Sequence, residues 1–583
     1  MSDSPDRDDR ATDPLARYWR PAVLAVVAAA VVLRLPWPSA WWLNPDEGIY
    51  YWIITHARFA DFWADAMATA HPPLYFLLLR AVAFLTTDFA WLRSVALLSG
   101  VAAVYAFIVL GREVGGDGTR GRLTGLLAGI LLAASPRAIA LSQVVRPYML
   151  LLLLLAAALF FLLRFLRLRS NGLLVGYAAC ASLALTLHYS AVGALGVFGL
   201  LVVADGARSG FGRPEWRRLG LAQLVPGFTL VGLYVWHLRG LMGSAIADQA
   251  LEGWLSAYLV RGPPDVWLGL VGVHSSLVGD ALAASATLLT VVGLGWAGWT
   301  RRWTVLLMGG AAIALATIGA VAGLYPFGAT RHAAWLIAFL GPALAWAVAT
   351  MLMEVPGARV ATMPHPGAPA PAARPARAQH PLARAAPVLL LVALLVGAGP
   401  LGSVLDSERR PREISERVLQ VAHVEAMSEA LSPRGGPRLV LMSTETYQLL
   451  APLFVDRTHA VEASSRGGLL HFPWGVREVV VLPGRDFAAL PRELARSNHL
   501  YTATRRATEE FGIEGPAEGE SLLVLAGGWY SQGMEDLVAL AGASPGLGTS
   551  THVPGLIAVA LDFEVYRRAL GVSADGDDQA VHR

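Results

Sequence analysis

The stretch Trp41-Trp42-Leu43-Asn44-Pro45-Asp46-Glu47-Gly48-Ile49-Tyr50-Tyr51 decides how the chain is read, together with His71-Pro72-Pro73-Leu74-Tyr75-Phe76 downstream. Two adjacent carboxylates follow the first long apolar segment. A second polar cluster comes 25 residues later, just before the chain turns apolar again. Carboxylates at a membrane boundary are costly to desolvate, so their presence there points to function. Asn-Pro-Asp is also an ordinary turn signal. The choice between the two readings rests on what surrounds the stretch.

The surroundings suit lipid. Of 583 residues, 55% are apolar and 15% charged, with a mean hydropathy of +0.50. A soluble domain carries about 25% charged residues. The net charge is +3, and all 46 basic residues are arginine, a bias that makes any single arginine a weak signal. The single cysteine, Cys180, lies in an apolar run, which excludes an intramolecular disulfide and a cysteine metal site. No zinc spacing and no basic helix with interleaved aromatics is present, so nucleic acid is not an expected partner.

Crossing a bilayer as helix takes roughly 17–25 apolar residues. Eleven segments qualify, at about 19–37, 91–110, 122–138, 146–166, 172–188, 190–205, 219–238, 277–299, 303–322, 332–353 and 386–404. Pro73 to Thr86 is short, opens on prolines and carries Arg80, so it is expected to lie along the surface. Arginine placement supports this count through the positive-inside rule. With the N-terminus inside, arginines cluster in inner loops, as at Arg164, Arg167 and Arg169, and are mostly single in outer ones, as at Arg146. The apolar run 21–33 reads as an uncleaved first helix, because Arg34, Trp37, Trp41 and Trp42 make a poor cleavage region.

The expected fold class is thus a polytopic α-helical membrane protein with about 11 transmembrane helices, plus a C-terminal extracytoplasmic α/β domain. Residues 1–18 form a cytoplasmic tail, 19–404 the transmembrane domain with an outer catalytic loop at 38–90, and 405–583 the outer domain. The Pro/Ala/Arg-rich stretch 354–385 cannot bury a core and is expected to be a disordered cytoplasmic linker. The loop from Leu238 to Ser276 and the outer domain are expected to choose the acceptor. In the outer domain, Arg438–Ser443, Glu478–Leu482 and Ser521–Ala526 read as strands. Ile414–Leu431, Thr446–Phe454, Phe487–Asn498 and Met534–Ala541 read as helices. That alternation predicts a largely parallel sheet.

Five polar clusters fall on the outer side: Asp46-Glu47; His71 with Tyr75; Ser142-Gln143 through Arg146-Pro147-Tyr148; His188-Tyr189; and Tyr325 through Arg331-His332. Each alone has an ordinary explanation, since Tyr and His populate the membrane interface and arginines snorkel at helix ends. Their gathering on one side points to a ligand site.

Several of these residues match a known pattern. Asp46-Glu47 in the first outer loop, His71-Pro72-Pro73-Leu74-Tyr75, Arg93-Ser94, and Ser142-Gln143 with Arg146 and Tyr148 resemble the GT-C membrane glycosyltransferases. The likeness is to the protein O-mannosyltransferase and aminoarabinose-transferase group, in its bacterial glycosyltransferase family 39, RgtA-B-C-D-like branch. It covers residues 20–205 by motif and the later spans by topology only. The resemblance implies a multi-pass protein of a bacterial cell membrane that moves a sugar from a polyprenyl-phosphate donor to a glycan, lipid or protein acceptor. By similarity Asp46 is the base, and Glu47 orients the acceptor or assists a metal. Arg146, Arg331 and His332 meet the phosphate, while His71, Tyr75, Tyr148 and His188 line the donor site. Many relatives carry an acid in the fourth-span motif, where this chain has Val144 and Leu151. In relatives that acid helps hold a divalent cation, Mg²⁺ or Mn²⁺, so its absence here counts against metal dependence, and no cofactor beyond that cation is implied. Two other classes fit a many-span chain: a transporter or lipid flippase, although no internal repeat is evident, and a non-catalytic scaffold.

Overall fold

In the computed structural model, the described residues are 14–35, 41–241, 254–354 and, toward the C-terminus, 421–427, 437–454, 464–466, 469–482, 504, 509–513, 520–527, 538, 548–553 and 556–562. They fall into two compact units. The first comprises residues 1–36, 66–78 and 93–410, and the second 37–65, 79–92 and 411–583.

The described secondary structure of the first unit is helical. Among the described residues, eight helices are long and apolar enough to cross a membrane, and nine if the bent pair Gly118–Ala134 and Pro136–Ser142 is one span. Together with the shorter Asn171–Leu187, helices coincide with each of the first ten expected spans. The expected eleventh span (386–404) and nearly all of the linker lie outside the described residues, as does most of the N-terminal tail. Helix Ala334–Glu354 is the core of the unit. It is apolar on every side and buried continuously from Ala334 to Thr350, as befits a helix surrounded by other helices. It packs against Gly118–Ala134, Tyr148–Leu168, Asp280–Trp299 and Trp303–Val321.

The 61° bend between Gly118–Ala134 and Pro136–Ser142 has a specific cause and a specific remedy. Pro136 has no N–H to offer the carbonyl of Leu132, so the helix ladder breaks there. Arg34, fully buried at the end of the first helix, replaces the missing donors. Its Nη2 donates to the Leu132 carbonyl at 3.0 Å and its Nη1 to the Ala133 carbonyl at 3.0 Å. Its Nε donates to Ser142 Oγ at 3.1 Å, and Gln143 Nε2 returns a bond to the Arg34 carbonyl at 3.1 Å. A buried cation is thus tied by carbonyls and a hydroxyl to the segment leading to Arg146.

Two expectations about connections need correction. The 238–276 region is not all loop, because Pro263–Val278 forms a helix with Leu270, Val273, His274 and Leu277 buried. The 38–90 region is also mostly helical, with Pro45–Thr55, Phe59–Ala68 and Leu74–Ala83. The last of these has 10 residues, too few to span a bilayer.

Among the described residues, the second unit is built on a seven-stranded sheet in the order β2-β3-β4-β1-β5-β7-β6. The strands are β1 (Leu439–Ser443), β2 (Ser464–Arg466), β3 (Leu469–Trp474), β4 (Arg477–Leu482), β5 (Ser521–Gly527), β6 (Gly548–Val553) and β7 (Leu556–Asp562). Only β4-β1-β5 is parallel; the four flanking pairings are antiparallel. The largely parallel sheet read from sequence is therefore wrong. The signal against it was local. Gly475 takes φ +65° in a two-residue turn with Val476 that joins β3 to β4, and a turn this tight can join only antiparallel strands. The expected helices at 487–498 and 534–541 lie almost wholly outside the described residues, as does much of 414–431.

Candidate functional site

The first unit assembles a polar cluster from four separate segments. The turn before helix Leu74–Ala83 supplies His71. The link between Pro136–Ser142 and Tyr148–Leu168 supplies Arg146 and Tyr148. The end of helix Asn171–Leu187 supplies His188 as its C-cap. The entry to Ala334–Glu354 supplies Arg331 and His332 in a 3₁₀ turn that Thr330 caps, its hydroxyl accepting the Ala333 N–H at 3.3 Å.

Ring contacts fix the arrangement. His188 lies 5.2 Å from His71, 5.2 Å from Tyr148 and 5.7 Å from His332, between ring centroids. Tyr148 and Tyr325 both meet His332 edge-on, at 6.2 and 6.4 Å. Tyr325 also donates its hydroxyl to the His332 carbonyl at 3.1 Å. Six of the nine expected site residues thus stand together in one buried place.

Hydrogen bonding assigns the His188 tautomer. The backbone N–H of Ser190 donates to His188 Nδ1 at 3.1 Å, with the Ser190 hydroxyl 2.9 Å away. An Nδ1 that accepts a backbone N–H cannot carry a proton, so the neutral ring carries it on Nε2. That Nε2 is buried and has no partner among the described residues, and neither has the Tyr148 hydroxyl. Buried polar groups are nearly always satisfied. Two donors left open in one cluster therefore describe a place for an acceptor.

Electrostatics agree. Burial, followed by the positive charge of Arg146 and Arg331, pushes His188 down to about 3. Burial also holds His71 well below the usual imidazole range, with Arg146 the next cause. Both rings are neutral donors at physiological pH, and the fixed charge is that of the two guanidiniums. Burial raises the Tyr325 hydroxyl as well, leaving it a donor. Two cations with neutral N–H and O–H donors suit a multivalent oxyanion such as phosphate, which arginine can grip through two parallel bonds.

The remaining expected residues divide. Tyr75 is buried in helix Leu74–Ala83. Asp46 and Glu47 belong to the second unit, in the first turn of helix Pro45–Thr55. There Asn44 and Glu47 form a capping box: Asn44 Oδ1 accepts the Glu47 N–H at 3.0 Å, and Glu47 Oε2 accepts the Asn44 N–H at 3.1 Å. Glu47 is 1% exposed, so its carboxylate serves the helix start, whereas Asp46 is partly exposed. The helix is seated on the short helix Thr444–Leu449. Trp42 Nε1 donates to the Leu449 carbonyl at 2.7 Å, and Trp52 meets Tyr447 edge-on at 5.1 Å. A Cβ on Gly48 would lie 1.8 Å from the Gln448 carbonyl oxygen, so only glycine permits this approach.

Sequence reasoning missed Ser190, which sets the His188 tautomer, and Arg34, which shapes the Arg146 segment. A lone arginine closing an apolar span was the available signal for Arg34. It also missed His237, in a π-helical turn, which accepts the Tyr189 hydroxyl on Nδ1. Its other edge faces the backbone of Met67 and Thr69, just before the His71 turn. Among the described residues, no three His, Cys, Asp or Glu groups are placed to hold a metal ion. Val144 and Leu151, where relatives place an acid, are buried apolar side chains. None of the clustered residues His71, Arg146, Tyr148, His188, Arg331 and His332 is a carboxylate, the side chain that Mg²⁺ or Mn²⁺ favours.

Neither a family model nor a curated protein sequence matches the chain. Solved structures do. ArnT from Cupriavidus metallidurans in its apo state superposes with a TM-score of 0.50 at 16% identity, covering 94% of this chain and 98% of that one. The Archaeoglobus fulgidus oligosaccharyltransferase in complex with zinc and sulfate gives 0.50 at 14% identity, covering 90% of this chain and 70% of that one. What these likenesses establish is a shared fold: a polytopic helical membrane protein of GT-C architecture.

Proposed function

We propose, with the GT-C membrane fold as premise, that the chain transfers a sugar from a polyprenyl-phosphate donor to an acceptor hydroxyl. The observation that carries the reading is the cluster of Arg146, Arg331 and neutral His188 with the open Tyr148 hydroxyl, a donor-rich site suited to phosphate. The chemistry needs little more. The bond from the sugar anomeric carbon to the phosphate oxygen breaks as the acceptor oxygen bonds to that carbon, with inversion. The acceptor proton passes to Asp46 acting as general base. The leaving phosphate gains negative charge, which the two guanidiniums and the N–H and O–H donors stabilise. Glu47 is a positioning residue that holds the start of the Asp46 helix. Tyr75 and His71 line the donor side.

This reading includes eleven spans, with 386–404 as the last, an inner N-terminus and an extracytoplasmic sheet unit. The plasma membrane of a bacterium is the proposed location. No step is routed through a metal. The test is a panel of radiolabelled polyprenyl-phosphate sugars offered to the purified chain with cell-envelope acceptors. Sugar transfer that Asp46→Asn abolishes supports the proposal. Lipid translocation in liposomes without any glycosyl product would replace it with the transporter reading.

A further inference from the structure

We infer that the first unit carries a second ligand site, for an anionic glycerophospholipid, at the helix ends remote from the Arg146 cluster. Helix Tyr148–Leu168 starts in the cluster and runs 21 residues, so its far end lies about 30 Å away. There it borders a groove of about 1120 Å³ whose other walls include the first helix and Phe89–Gly115. Among the described residues, Arg17, Arg20, Arg112, Arg122, Arg164 and Arg167 line it, opposed by Glu113 and Asp117. The described lining thus carries an excess of four positive charges.

The arginines are set in place. The Glu113 carboxylate, 7% exposed, holds Arg164 at 3.0 Å and Arg167 at 3.1 Å, and Asp117 holds Arg167 at 3.0 Å. The Arg112 guanidinium lies 5.4 Å from the Trp19 ring centroid. Below this charged rim the wall is apolar, with Val23, Leu24, Tyr105 and Val109. Of the apolar window in the first helix, 6% is buried by protein, so the groove opens sideways to the bilayer.

Cationic rim, apolar wall and lateral opening match one kind of molecule: a phosphodiester headgroup with acyl chains attached. Basic pockets between membrane helices take such headgroups. The volume also exceeds the roughly 300–1,000 Å³ of ordinary small-molecule pockets. A soluble anion would use the rim and leave the apolar wall bare. The inference is independent of the proposed reaction, because no residue of the Arg146 cluster lines the groove.

The test uses the full chain, delipidated in neutral detergent, with short-chain phosphatidylglycerol and phosphatidylcholine as probes. Retention is read by native mass spectrometry and stabilisation by thermal shift. Phosphatidylglycerol is expected to bind at least about tenfold more tightly than phosphatidylcholine. Arg112→Gln with Arg122→Gln should remove that preference, and Arg302→Gln, outside the groove, should keep it. Arg17→Gln with Arg20→Gln, on an exposed part of the first helix where folding is not at stake, should weaken it about threefold. Equal binding of the two lipids, a preference that survives both double variants, or displacement by equimolar inorganic phosphate would overturn the site.

Discussion

The helix Pro45–Thr55 and the Arg146 cluster are both polar sites in an apolar chain, yet they are held in different ways. The cluster draws on four distant segments, each fixed by its own device: a proline break relieved by Arg34, a C-cap at His188, a Thr330 cap before Arg331. Asp46 instead depends on one short helix, seated by a backbone approach at Gly48, an indole bond from Trp42 and the edge contact of Trp52 with Tyr447. Charge in the cluster is shared among several donors, so no single loss should erase it. The base role is assigned to one carboxylate on one short helix, so both its chemistry and its seat should be sensitive.

The largest expected effect follows from that contrast. Asp46→Asn should lower turnover by about 10³-fold, within the range for removing a general base, while donor affinity stays within about twofold. Equal loss of binding and turnover would make Asp46 a binding residue and merge the two regions. Arg146→Gln or Arg331→Gln should each cost about 10²-fold in transfer, as for one donor to a developing oxyanion. Steady-state kinetics with a labelled donor would show it.

Gly48→Ala should cost about tenfold in turnover. Its methyl must displace the Gln448 carbonyl, an overpacking penalty of about 1–3 kcal/mol. Proteolysis near 444–454 should accelerate in parallel. Gly199→Ala, with open space around its Cβ, is the matched control and should change neither. If Gly48→Ala behaves like Gly199→Ala, the acid does not depend on its seat.

How far these regions were legible beforehand follows from the same difference. His71, Arg146, Tyr148, His188, Arg331 and His332 stood out as polar residues in apolar sequence, where any polarity is conspicuous. The devices that position them did not. Arg34 looked like a helix flank, because nothing local says that a proline 102 residues later will orphan the carbonyls it meets. Gly48 looked like a loop glycine, because its reason is the Gln448 carbonyl 400 residues away. The first ten helical segments were readable since lipid imposes a long uniform pattern. In the sheet unit the central strands β1, β4 and β5 were found as buried apolar runs, but β2, β3, β6 and β7 were missed. The parallel expectation arose from counting helices between strands while overlooking the Gly475 turn.

Smaller effects sharpen the picture of the cluster. Tyr148→Phe removes a hydroxyl without a partner among the described residues, so the melting temperature of the unliganded chain should hold or rise slightly. Donor affinity should fall about fivefold, as for one neutral hydrogen bond. His188 sits at about 3 in the folded chain, against about 6.5 when unfolded. Protons therefore favour the unfolded state between these values. Its contribution to stability is fully present above about pH 6.5 and is lost as pH falls toward 3. Across pH 5 to 8, donor affinity should show no histidine inflection. A step near 6.5 would mean that the cluster imidazoles are solvated and charged.

Direct binding of polyprenyl phosphate to the purified chain at neutral pH, compared with the Arg146→Gln, Arg331→Gln double variant, tests the central claim without requiring the sugar or the acceptor. The account predicts affinity at least about 100-fold weaker in the double variant, with folding intact by thermal shift. Unchanged affinity would contradict it, placing the lipid phosphate elsewhere and leaving the cluster without its proposed role.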